Sequence, residues 1–552
     1  MPNTILFEKL APLLDGDVLT DDATRKTYSQ DASIFEITPQ VVIYPKHTKD
    51  VQTIIRFVQE YKKEFPKLSV TARSAGTDMS GGPLNDSIIL DFTKYINKIT
   101  ELGATQATVE PGCYYRDFEK TVGTFGSMLP SYTASKELCT VGGMVANNSG
   151  GEKTIKFGKT ERYVQKLKVV FTDGNVYDIS PLTKSELEIK TQHATFEGNL
   201  YKAILTLIHT NESALKKAKP NVSKNSAGYA LWDIWDEKTQ TFDLCKLITG
   251  SQGTLGIITE ITFSLVPIEK YSNVVAVFMP SLENLGDIVR DIVALKPDSF
   301  ESYDDYSMKL AVRFFFDFFK YLGFIETIKL GFRFLPETKM ILTGGIPKLT
   351  LLVEFAGNSE KEIQRQLENV AFIARTHELK SHIARNSKEA EKYWKIRRES
   401  FNMLRKHMTG KRTAPFIDDL IVRPEHMASF LPKLQALLKE YNLTYTIAGH
   451  AGDGNFHIIP LMDLALLETR DIILELSKKV YDLIHLYNGS ITAEHNDGII
   501  RTPFLSQMFG ADVCELFKQT KEIFDPLYIL NPRKKVGGTF DDIKKFIRTG
   551  NN

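Results

Sequence analysis

The sequence predicts an α+β protein with more than one domain, and three observations lead to this prediction. The chain has 552 residues, of which 42% are hydrophobic and 25% charged, so it can form several apolar cores. In its first third, short apolar segments typical of strands alternate with amphipathic segments typical of helices. Glycine-rich stretches join these segments, and a similar mixture with longer helical patterns follows beyond residue 269.

The first third contains one clear helical pattern and several strand patterns. Residues 50–61 predict an amphipathic helix whose apolar face comprises Val51, Ile54, Ile55 and Val58. Short apolar segments predict strands at 41–44, 68–71, 87–91, 107–109, 166–172 and 255–267. The segment 166–172 is followed by Asp173-Gly174, which is typical of a turn.

A second region begins near Glu269. Its apolar segments predict strands at 274–278, 350–354 and 420–422. Longer patterns of helical period predict helices at 359–376 and 423–441. The C-terminal part of the chain is again rich in glycine, histidine and acidic residues.

Composition argues against several classes of protein. The formal net charge of +1 gives no basis for attraction to nucleic acid. The four cysteines have no CxxC spacing, so a disulfide framework, a thiolate metal site and an iron–sulfur centre are not indicated. No stretch has the about 18 apolar residues of a spanning helix, and the N-terminus does not resemble a secretory signal. We therefore expect a cytoplasmic protein in a reducing compartment.

Residues 309–335 are unusually rich in phenylalanine and basic residues. One interpretation is a surface patch that contacts the inner membrane peripherally or docks on an electron-carrying partner. The other is a buried helix of the second domain, because aromatic stripes more often belong to a core. The sequence leaves both interpretations open.

Four glycine-rich segments predict a nucleotide-binding site, at 73–82, 140–151, 157–160 and 250–256. Small residues let backbone N–H groups approach a phosphate, and the neighbouring hydroxyl and amide side chains can bind pyrophosphate, ribose or a flavin ring. No GxGxxG follows a predicted strand, so a Rossmann site is not supported. Gly158-Lys159-Thr160 is similar to the end of a Walker A loop, but Lys153 occupies the position of the required upstream glycine.

The clearest sign of catalysis is the run from His450 to His457, which encloses the sequence Gly-Asp-Gly-Asn. In a straight strand, two histidines seven residues apart would face opposite sides, but a bend at the glycines can bring the imidazoles together. A second run supplies Glu494 and His495. Two imidazoles and one carboxylate leave an open coordination position, which is the pattern of a catalytic metal site.

In this order and spacing, the glycine-rich segments closely resemble the FAD-binding domain of the vanillyl-alcohol oxidase and p-cresol methylhydroxylase superfamily. The histidine runs narrow the resemblance to the branch of D-lactate dehydrogenase, glycolate oxidase and D-2-hydroxyglutarate dehydrogenase. It implies a two-part FAD-binding domain at 35–268, a cap domain with an antiparallel sheet and flanking helices at 269–485, and a C-terminal segment at 486–552 that returns to the flavin. An N-terminal helical lead-in would occupy residues 1–34.

The resemblance also implies which residues bind FAD. The loop 73–82 would wrap the pyrophosphate, the segment 140–151 would lie along the flavin, and Gly253 and Ile258 would lie near the adenine–ribose half. The pyrophosphate loop has no histidine for a covalent link, so we expect noncovalent FAD. The predicted FAD-binding residues are Arg73, Ser74, Ala75, Gly76, Thr77, Asp78, Pro130, Ser131, Thr140, Gly142, Gly143, Asn147, Ser149, Gly150, Gly253, Ile258 and Asn531.

By the same resemblance, Zn²⁺ or Mn²⁺ would be bound by His450, His457 and Glu494. The substrate hydroxyl and carboxylate would chelate this metal, His495 would remove the hydroxyl proton, and the α-hydrogen would pass as hydride to flavin N5. Arg397 lies in a stretch similar to the family's W-x-x-R motif and would bind the substrate carboxylate through its planar guanidinium. Arg398 could take that role instead.

The implied activity is the oxidation of a D-2-hydroxy acid, with electrons passing to a quinone, a cytochrome or an electron-transfer flavoprotein. Some dicarboxylate-specific relatives have a lysine before the conserved acid, where this chain reads Phe416-Ile417-Asp418-Asp419. They also have a polar residue just after the second metal histidine, whereas Ile458-Ile459 follow His457 here. Both differences favour D-lactate over the alternatives, which are D-2-hydroxyglutarate and a role as a glycolate oxidase-type subunit. An oxygen-using oxidase, a metallohydrolase and a non-catalytic FAD-binding subunit are competing hypotheses, and a homodimer is a further expectation.

Overall fold

The computed structural model describes residues 4–306, 308–309, 345–406 and 410–549. Three main sheets and many surrounding helices confirm the predicted α+β class. The aromatic stretch 309–335, apart from Lys309, lies outside the described residues, so both interpretations of it stay hypotheses.

The first sheet is mixed. In spatial order its strands are Asp17–Leu19, Val41–Tyr44, Ile88–Asp91 and Val70–Arg73. The last three are parallel, and Asp17–Leu19 adds an antiparallel edge. The helix Thr48–Tyr61 packs against this sheet with its predicted apolar face fully buried, because four aliphatic side chains recur at helical spacing.

The second sheet is antiparallel. In spatial order its strands are Ile99–Leu102, Gln106–Val109, Ile257–Ser264, Val164–Val170 and Val176–Ile179. The strand predicted at 166–172 ends two residues earlier than expected. The reason is the turn at Asp173-Gly174, in which the Gly174 N–H donates to the Phe171 carbonyl at 3.0 Å and removes Phe171 from the ladder.

The third sheet, here called the cap sheet, is antiparallel throughout, as predicted. Its spatial order is Lys380–Ile383, Tyr271–Met279, Leu349–Gly357, Ser299–Asp304, Thr444–His450, Asn455–Met462 and Arg412–Thr413, while Leu420–Ile421 also pairs with Asn455–Met462. Alternate residues of Tyr271–Met279 face opposite sides. Val275 and Val277 pack in one core, whereas Val274 and Ala276 pack in another with Tyr393 and Ile396.

Helices therefore cover both faces of the cap sheet. One face meets Leu285–Val293, Glu360–Thr376 and Met427–Glu440, and the other meets Ser387–Lys406. The helix predicted at 423–441 is correct in place but begins differently. Pro424–His426 forms a short 3₁₀ turn before the α-helix starts at Met427.

The remaining α-helices are Thr4–Leu10, Asp22–Thr27, Tyr115–Gly123, Val141–Asn147, Thr154–Phe157, Lys184–Gln192, Phe196–Thr210, Glu212–Ala218, Cys245–Ile248, Leu467–Leu486, Gly498–Arg501, Leu505–Phe524 and Phe540–Phe546. Two small sheets comprise Leu182–Thr183, Thr241–Phe242 and Trp235–Asp236, and Val266–Pro267 with Ser127–Met128. Within the described ranges, no helix has both the length and the apolar character needed to cross a bilayer.

The C-terminal segment returns to the first sheet. The Val70 N–H donates to the Ile529 carbonyl at 2.7 Å, and the Asn531 N–H donates to the Val70 carbonyl at 2.8 Å. These bonds attach residues 529–531 beside the strand that leads into the glycine-rich loop 73–82. The domain boundaries themselves stay predictions.

Candidate active site

A cavity of about 950 Å³ is lined by residues from the first half of the chain, the cap sheet and the C-terminal part. Most of the predicted cofactor residues lie on its wall: Arg73, Ser74, Ala75, Gly76, Thr77, Asp78, Thr140, Gly142, Gly143, Asn147, Ser149, Gly150, Gly253 and Ile258. The same wall carries all the predicted catalytic and metal residues: Arg397, His450, His457, Glu494 and His495. The structure thus brings the two predicted groups of residues together in one cavity.

Three predicted cofactor residues lie behind this wall. Pro130 and Ser131 are buried, and the Ser131 hydroxyl lies 3.2 Å from the Thr160 hydroxyl. The Asn531 amide donates to the carbonyls of Gly82 at 3.0 Å and Gln252 at 2.6 Å. The hydroxyl of Ser131 and the amide of Asn531 form hydrogen bonds within the protein, so these residues position the loops.

The loop 73–82 is shaped by its own residues. Gly76 has a φ of +68°, and a Cβ there would lie 2.3 Å from the Arg73 guanidinium, so glycine is required. The Asp78 carboxylate accepts from the backbone N–H groups of Ser80 at 3.0 Å and Gly82 at 2.7 Å. The Arg73 guanidinium donates to the Gln30 carbonyl at 2.7 Å, which fixes the start of the loop.

Two wall glycines leave room that a side chain would fill. A Cβ on Gly143 would come no closer than 3.5 Å to any neighbour, and one on Gly253 no closer than 3.9 Å. Gly143 lies in the helix Val141–Asn147, which Thr140 caps by accepting from the Gly143 N–H at 3.3 Å. Since both glycines line the cavity, a flat or elongated ligand can approach the backbone there. This wall fits FAD.

A hairpin brings His450 and His457 together, as the sequence predicts. Thr444–His450 pairs antiparallel with Asn455–Met462, and a 3₁₀ turn, Ala451–Asp453, joins them. Gly454 follows with a φ of +72°, where a Cβ would lie 2.0 Å from the Val422 carbonyl oxygen. The two imidazole centroids are 5.1 Å apart and the rings are perpendicular.

Glu494 and His495 are held by a buried carboxylate. Asp419 accepts from the backbone N–H groups of Glu494 at 2.7 Å and His495 at 2.8 Å, and from the Thr492 hydroxyl at 2.7 Å. Its other oxygen accepts from the Asn455 amide at 3.0 Å. Asp419 thereby anchors the C-terminal run to the histidine hairpin.

Each imidazole has an acceptor at Nδ1. His450 Nδ1 lies 2.6 Å from Glu301, His457 Nδ1 lies 3.1 Å from the Asp418 carbonyl, and His495 Nδ1 lies 2.6 Å from the Asp418 carboxylate. Such partners fix the tautomer that leaves Nε2 available. His450 Nε2 lies 3.3 Å from Glu494, and the His457 and His495 rings stack with centroids 5.0 Å apart.

Burial and neighbouring charges shift the pKa values of these groups in different directions. Burial lowers the pKa of His457 to about 3, and the neighbouring His495 and His450 reinforce this effect. Burial also acts to lower the pKa of His450, but Glu301 and Glu494 outweigh it and raise the value to about 9. A neutral His457 suits metal binding, whereas a metal at His450 must displace a proton.

The pKa of His495 is likewise raised, to about 9, because Asp419 and Asp418 outweigh the lowering effect of burial. Burial acts to raise the pKa of Glu494, but His450 and Lys224 lower it well below its usual value. Glu494 is therefore an anion at neutral pH and can serve as a ligand.

Lys224 is a further residue of the site, and no motif in the sequence points to it. Its ammonium is fully buried and lies 2.6 Å from Glu494 and 3.3 Å from Asp453. Burial acts to lower the pKa of Lys224, but the two carboxylates raise it. The contact uses one oxygen of Glu494 and leaves the other facing His450.

Two overlapping sets of side chains could hold a divalent cation. The predicted set is His450, His457 and Glu494. The set whose ligand atoms lie within 4.8 Å of one another is Asp419, His457, Glu494 and His495, which shares two residues with the predicted set and contains Asp419 and His495 in place of His450. Both oxygens of Asp419 already accept hydrogen bonds, which a cation there would have to displace. His450, His457 and His495 each keep an acceptor at Nδ1 and can present Nε2.

Arg397 and Arg398 both line the cavity but differ in setting. Arg397 is mostly buried and its guanidinium lies 3.0 Å from Glu301. Arg398 is about half exposed, pairs with Glu152 and stacks over Trp394. Arg397 is therefore linked to His450 through one shared carboxylate, whereas Arg398 pairs with Glu152.

Comparison with known families matches two consecutive parts of the chain. Residues 39–180 match the FAD binding domain, and residues 268–535 match the C-terminal domain of FAD linked oxidases. The first match contains the loop 73–82 and the whole segment 140–151, and the second contains all the predicted metal and catalytic residues.

Curated relatives are similar over nearly the whole chain. A D-2-hydroxyglutarate dehydrogenase of Pantoea ananatis is 27% identical over 94% of this chain and 50% of its own length. A D-lactate dehydrogenase of Anaerostipes hadrus is 26% identical over 96% of each chain, and the glycolate oxidase subunit GlcD of Bacillus subtilis is 26% identical over 93% and 92%. The chain spans about half the length of the D-2-hydroxyglutarate dehydrogenases of Pantoea ananatis and Escherichia coli.

Solved structures show the same fold. A p-cresol methylhydroxylase with bound substrate superposes with a TM-score of 0.68 at 15% identity, over 98% of this chain and 97% of the other. An alkyldihydroxyacetonephosphate synthase superposes with a TM-score of 0.66 at 15% identity, over 97% and 85%. With the two matched domains in this order, the chain belongs to the family of FAD-linked oxidases.

Proposed function

We propose that the chain is an FAD-dependent dehydrogenase that oxidises a D-2-hydroxy acid, with D-lactate as the first candidate substrate. The single observation that carries this proposal is that His450, His457, Glu494 and His495 lie on the wall of the same cavity as the glycine-rich loops. The family membership and the similarity to D-2-hydroxy acid dehydrogenases support the same reaction class.

FAD would be held without a covalent link by the loops at 73–82 and 140–151 and by Gly253 and Ile258. When bound, FAD supplies the acceptor for the hydride that leaves the substrate. The contribution of the protein is shape: small residues on the wall keep the cavity wide enough for a flat ring, and Asn531 holds two of the loops from behind.

Zn²⁺ or Mn²⁺ would be held by His450, His457 and Glu494. When bound, the metal lowers the pKa of a coordinated hydroxyl group and neutralises its anion. Glu301 and the Asp418 carbonyl support this role, since acceptors at Nδ1 leave Nε2 of each histidine for a cation.

His495 would take the proton from the substrate hydroxyl. Above the raised pKa of this imidazole, its Nε2 can accept a proton while Nδ1 donates to the Asp418 carboxylate at 2.6 Å. Asp418 itself pairs with the buried Arg501. This relay orients the ring and stabilises the imidazolium that forms after proton transfer. Arg397 would bind the substrate carboxylate, for which its planar guanidinium is well shaped.

A specific observation favours D-2-hydroxyglutarate as a second candidate. Phe416 and Ile417, which precede the acid pair, and Ile458, which follows His457, are fully buried in a hydrophobic core. The wall includes the cations Lys411 and Arg412, which could bind a second carboxylate, and also Ile459, which suits a small apolar side chain. Turnover with D-lactate and with D-2-hydroxyglutarate distinguishes these two candidate substrates.

The test is a purified protein examined for colour and turnover. We expect a flavin absorption spectrum and reduction by a D-2-hydroxy acid, measured with a dye acceptor against D- and L-lactate and D- and L-2-hydroxyglutarate. A colourless protein would favour a metallohydrolase, and a yellow protein reduced by none of these acids would favour a non-catalytic FAD-binding subunit. Rapid reoxidation of the reduced protein in air would favour an oxidase.

The remaining parts of the proposal rest on the sequence and on the relatives' names. Electrons would pass to a quinone, a cytochrome or an electron-transfer flavoprotein. The protein would be cytoplasmic, could contact the inner membrane through residues 309–335, and would form a homodimer. Size-exclusion chromatography and membrane flotation would test the last two.

A further inference from the structure

Glu301 is a buried acid in the middle of the cap sheet. It belongs to the strand Ser299–Asp304, and its side chain is only 2% exposed. The cavity wall includes its partners His450 and Arg397 but not Glu301 itself, so we expect it to act through these partners. A buried carboxylate is costly unless cations or donors surround it, so its partners indicate why it is there.

The two partners of Glu301 are residues with proposed roles. One carboxylate oxygen lies 2.6 Å from His450 Nδ1. The other lies 3.1 Å from Arg397 Nε and 3.0 Å from Arg397 Nη2. A single carboxylate therefore bridges a proposed metal ligand and the proposed binding group for the substrate carboxylate.

These contacts come from elements that are far apart in the sequence. His450 ends a strand of the cap sheet that pairs with the strand of Glu301, since Ser302 is opposite Gly449. Arg397 lies on the helix Ser387–Lys406, which packs on the same sheet through Tyr393 and Ile396. The position of Glu301 on the central strand allows it to reach both.

We propose that Glu301 is a positioning residue that couples metal binding to binding of the substrate carboxylate, an inference that rests on the proposed function. Its contact with Nδ1 turns His450 so that Nε2 faces Glu494. Its contact with Arg397 fixes the direction of the guanidinium on the cavity wall. Without the carboxylate, both groups lose their common anchor, and the metal and the substrate are each bound less tightly.

The test compares Glu301→Gln with Glu354→Gln in the full-length, FAD-loaded protein. Glu354 is a matched control because it is a mostly buried glutamate on the neighbouring strand Leu349–Gly357, with Lys153 at 3.9 Å and no site residue as an ion partner. Zn²⁺ affinity is measured by competition with a chromogenic chelator. KM is measured at saturating Zn²⁺ with D-lactate or D-2-hydroxyglutarate, whichever the wild type oxidises.

We expect Glu301→Gln to weaken Zn²⁺ binding by about 10–100-fold, as is typical for a lost partner of a metal-bound histidine, and to raise KM. In an Arg397→Met background, which itself raises KM, Glu301→Gln should still weaken Zn²⁺ binding but should not raise KM further. Glu354→Gln should leave both values unchanged. If Glu301→Gln does not fold, Glu301→Asp, which keeps the charge but is too short to bridge both partners, should show the same two effects.

Failure of this inference is distinguishable from failure of the proposed function. A wild type that binds Zn²⁺ and oxidises the acid, with Glu301 variants equal to the Glu354→Gln control, overturns this inference alone. A Glu301 effect on KM that persists in full in the Arg397→Met background also overturns it, because the coupling then does not act through Arg397. A wild type that binds no metal and oxidises no 2-hydroxy acid overturns the proposed function together with the inference.

Discussion

The two sides of the cavity are built by different means. On the cofactor side, the wall consists of loops such as 73–82 and of glycines such as Gly143 and Gly253, where the protein offers backbone and open space. On the histidine side, the wall consists of charged and titratable side chains, and each imidazole is held by a carboxylate or carbonyl at Nδ1. One side recognises shape, and the other arranges charge.

Because the two sides are built differently, amino-acid substitutions on them should have different effects. On the cofactor side, a larger side chain should weaken binding because it fills the cavity. Few side chains there could be removed with a comparable effect, because the wall consists of backbone and small residues. A buried network of charges tolerates neither the loss of a partner nor a change of charge, because the remaining group is left unpaired. Substitutions on the two sides should therefore separate cofactor binding from turnover.

The largest effect is expected on the histidine side. His495→Ala removes the proposed base, so we expect turnover to fall by about 10²–10⁴-fold while the flavin spectrum remains that of the wild type. The measurement is turnover with a dye acceptor per bound flavin, and His485→Ala, on an exposed helix position, is the control. Wild-type turnover in the His495 variant would remove it as the base.

On the cofactor side, added volume should act on binding instead. Gly143→Leu would extend into the cavity from a helix that leucine can occupy, and we expect a cost of about 1–3 kcal/mol, close to tenfold or more in the FAD dissociation constant. Gly123→Leu is the control, because a Cβ there meets nothing within 4 Å and the residue does not line the cavity. Equal FAD affinity in the two variants would contradict the proposed place of the cofactor.

A smaller and more specific effect is expected for the partner of the base. Asp418 contributes to the raised pKa of His495, so Asp418→Asn should lower that pKa. Since the base acts when unprotonated, turnover rises with pH through the pKa of His495, and the variant should show this rise at lower pH. The measurement is the pH profile of kcat/KM. The variant also leaves the Arg501 guanidinium buried without its carboxylate partner, which should lower the free energy of unfolding by about 3–5 kcal/mol. The bound flavin of the variant is therefore measured first, to show that the protein is folded.

Much of the fold follows from local sequence patterns. The helix Thr48–Tyr61 and the strand Val41–Tyr44 could be predicted because apolar spacing alone determines which face is buried. The approach of His450 to His457 could also be predicted, because glycines allow a bend within eight consecutive residues. The start of the helix at Met427 could not, since the Pro424–His426 turn depends on local backbone geometry.

The buried charged residues that contact the site residues could not be predicted from the sequence. Glu301 and His450 are 149 positions apart, and Lys224 and Glu494 are 270 apart, so no local pattern joins them. One signal for Glu301 did exist: a charged residue stands inside a strand whose other residues are almost all buried. Asp418 and His495 are 77 positions apart, so their contact at Nδ1 likewise follows no local pattern.

The central claim is that His450, His457 and Glu494 hold a divalent cation needed for chemistry in a cavity that binds FAD. The most direct measurement is the metal content and turnover of the flavin-containing protein before and after chelation, with Glu494→Gln beside it. The account predicts about one Zn²⁺ or Mn²⁺ per chain, loss of turnover on chelation with the flavin retained, recovery when the metal is returned, and neither metal nor turnover in the variant. Full turnover of a metal-free, flavin-containing protein would contradict it.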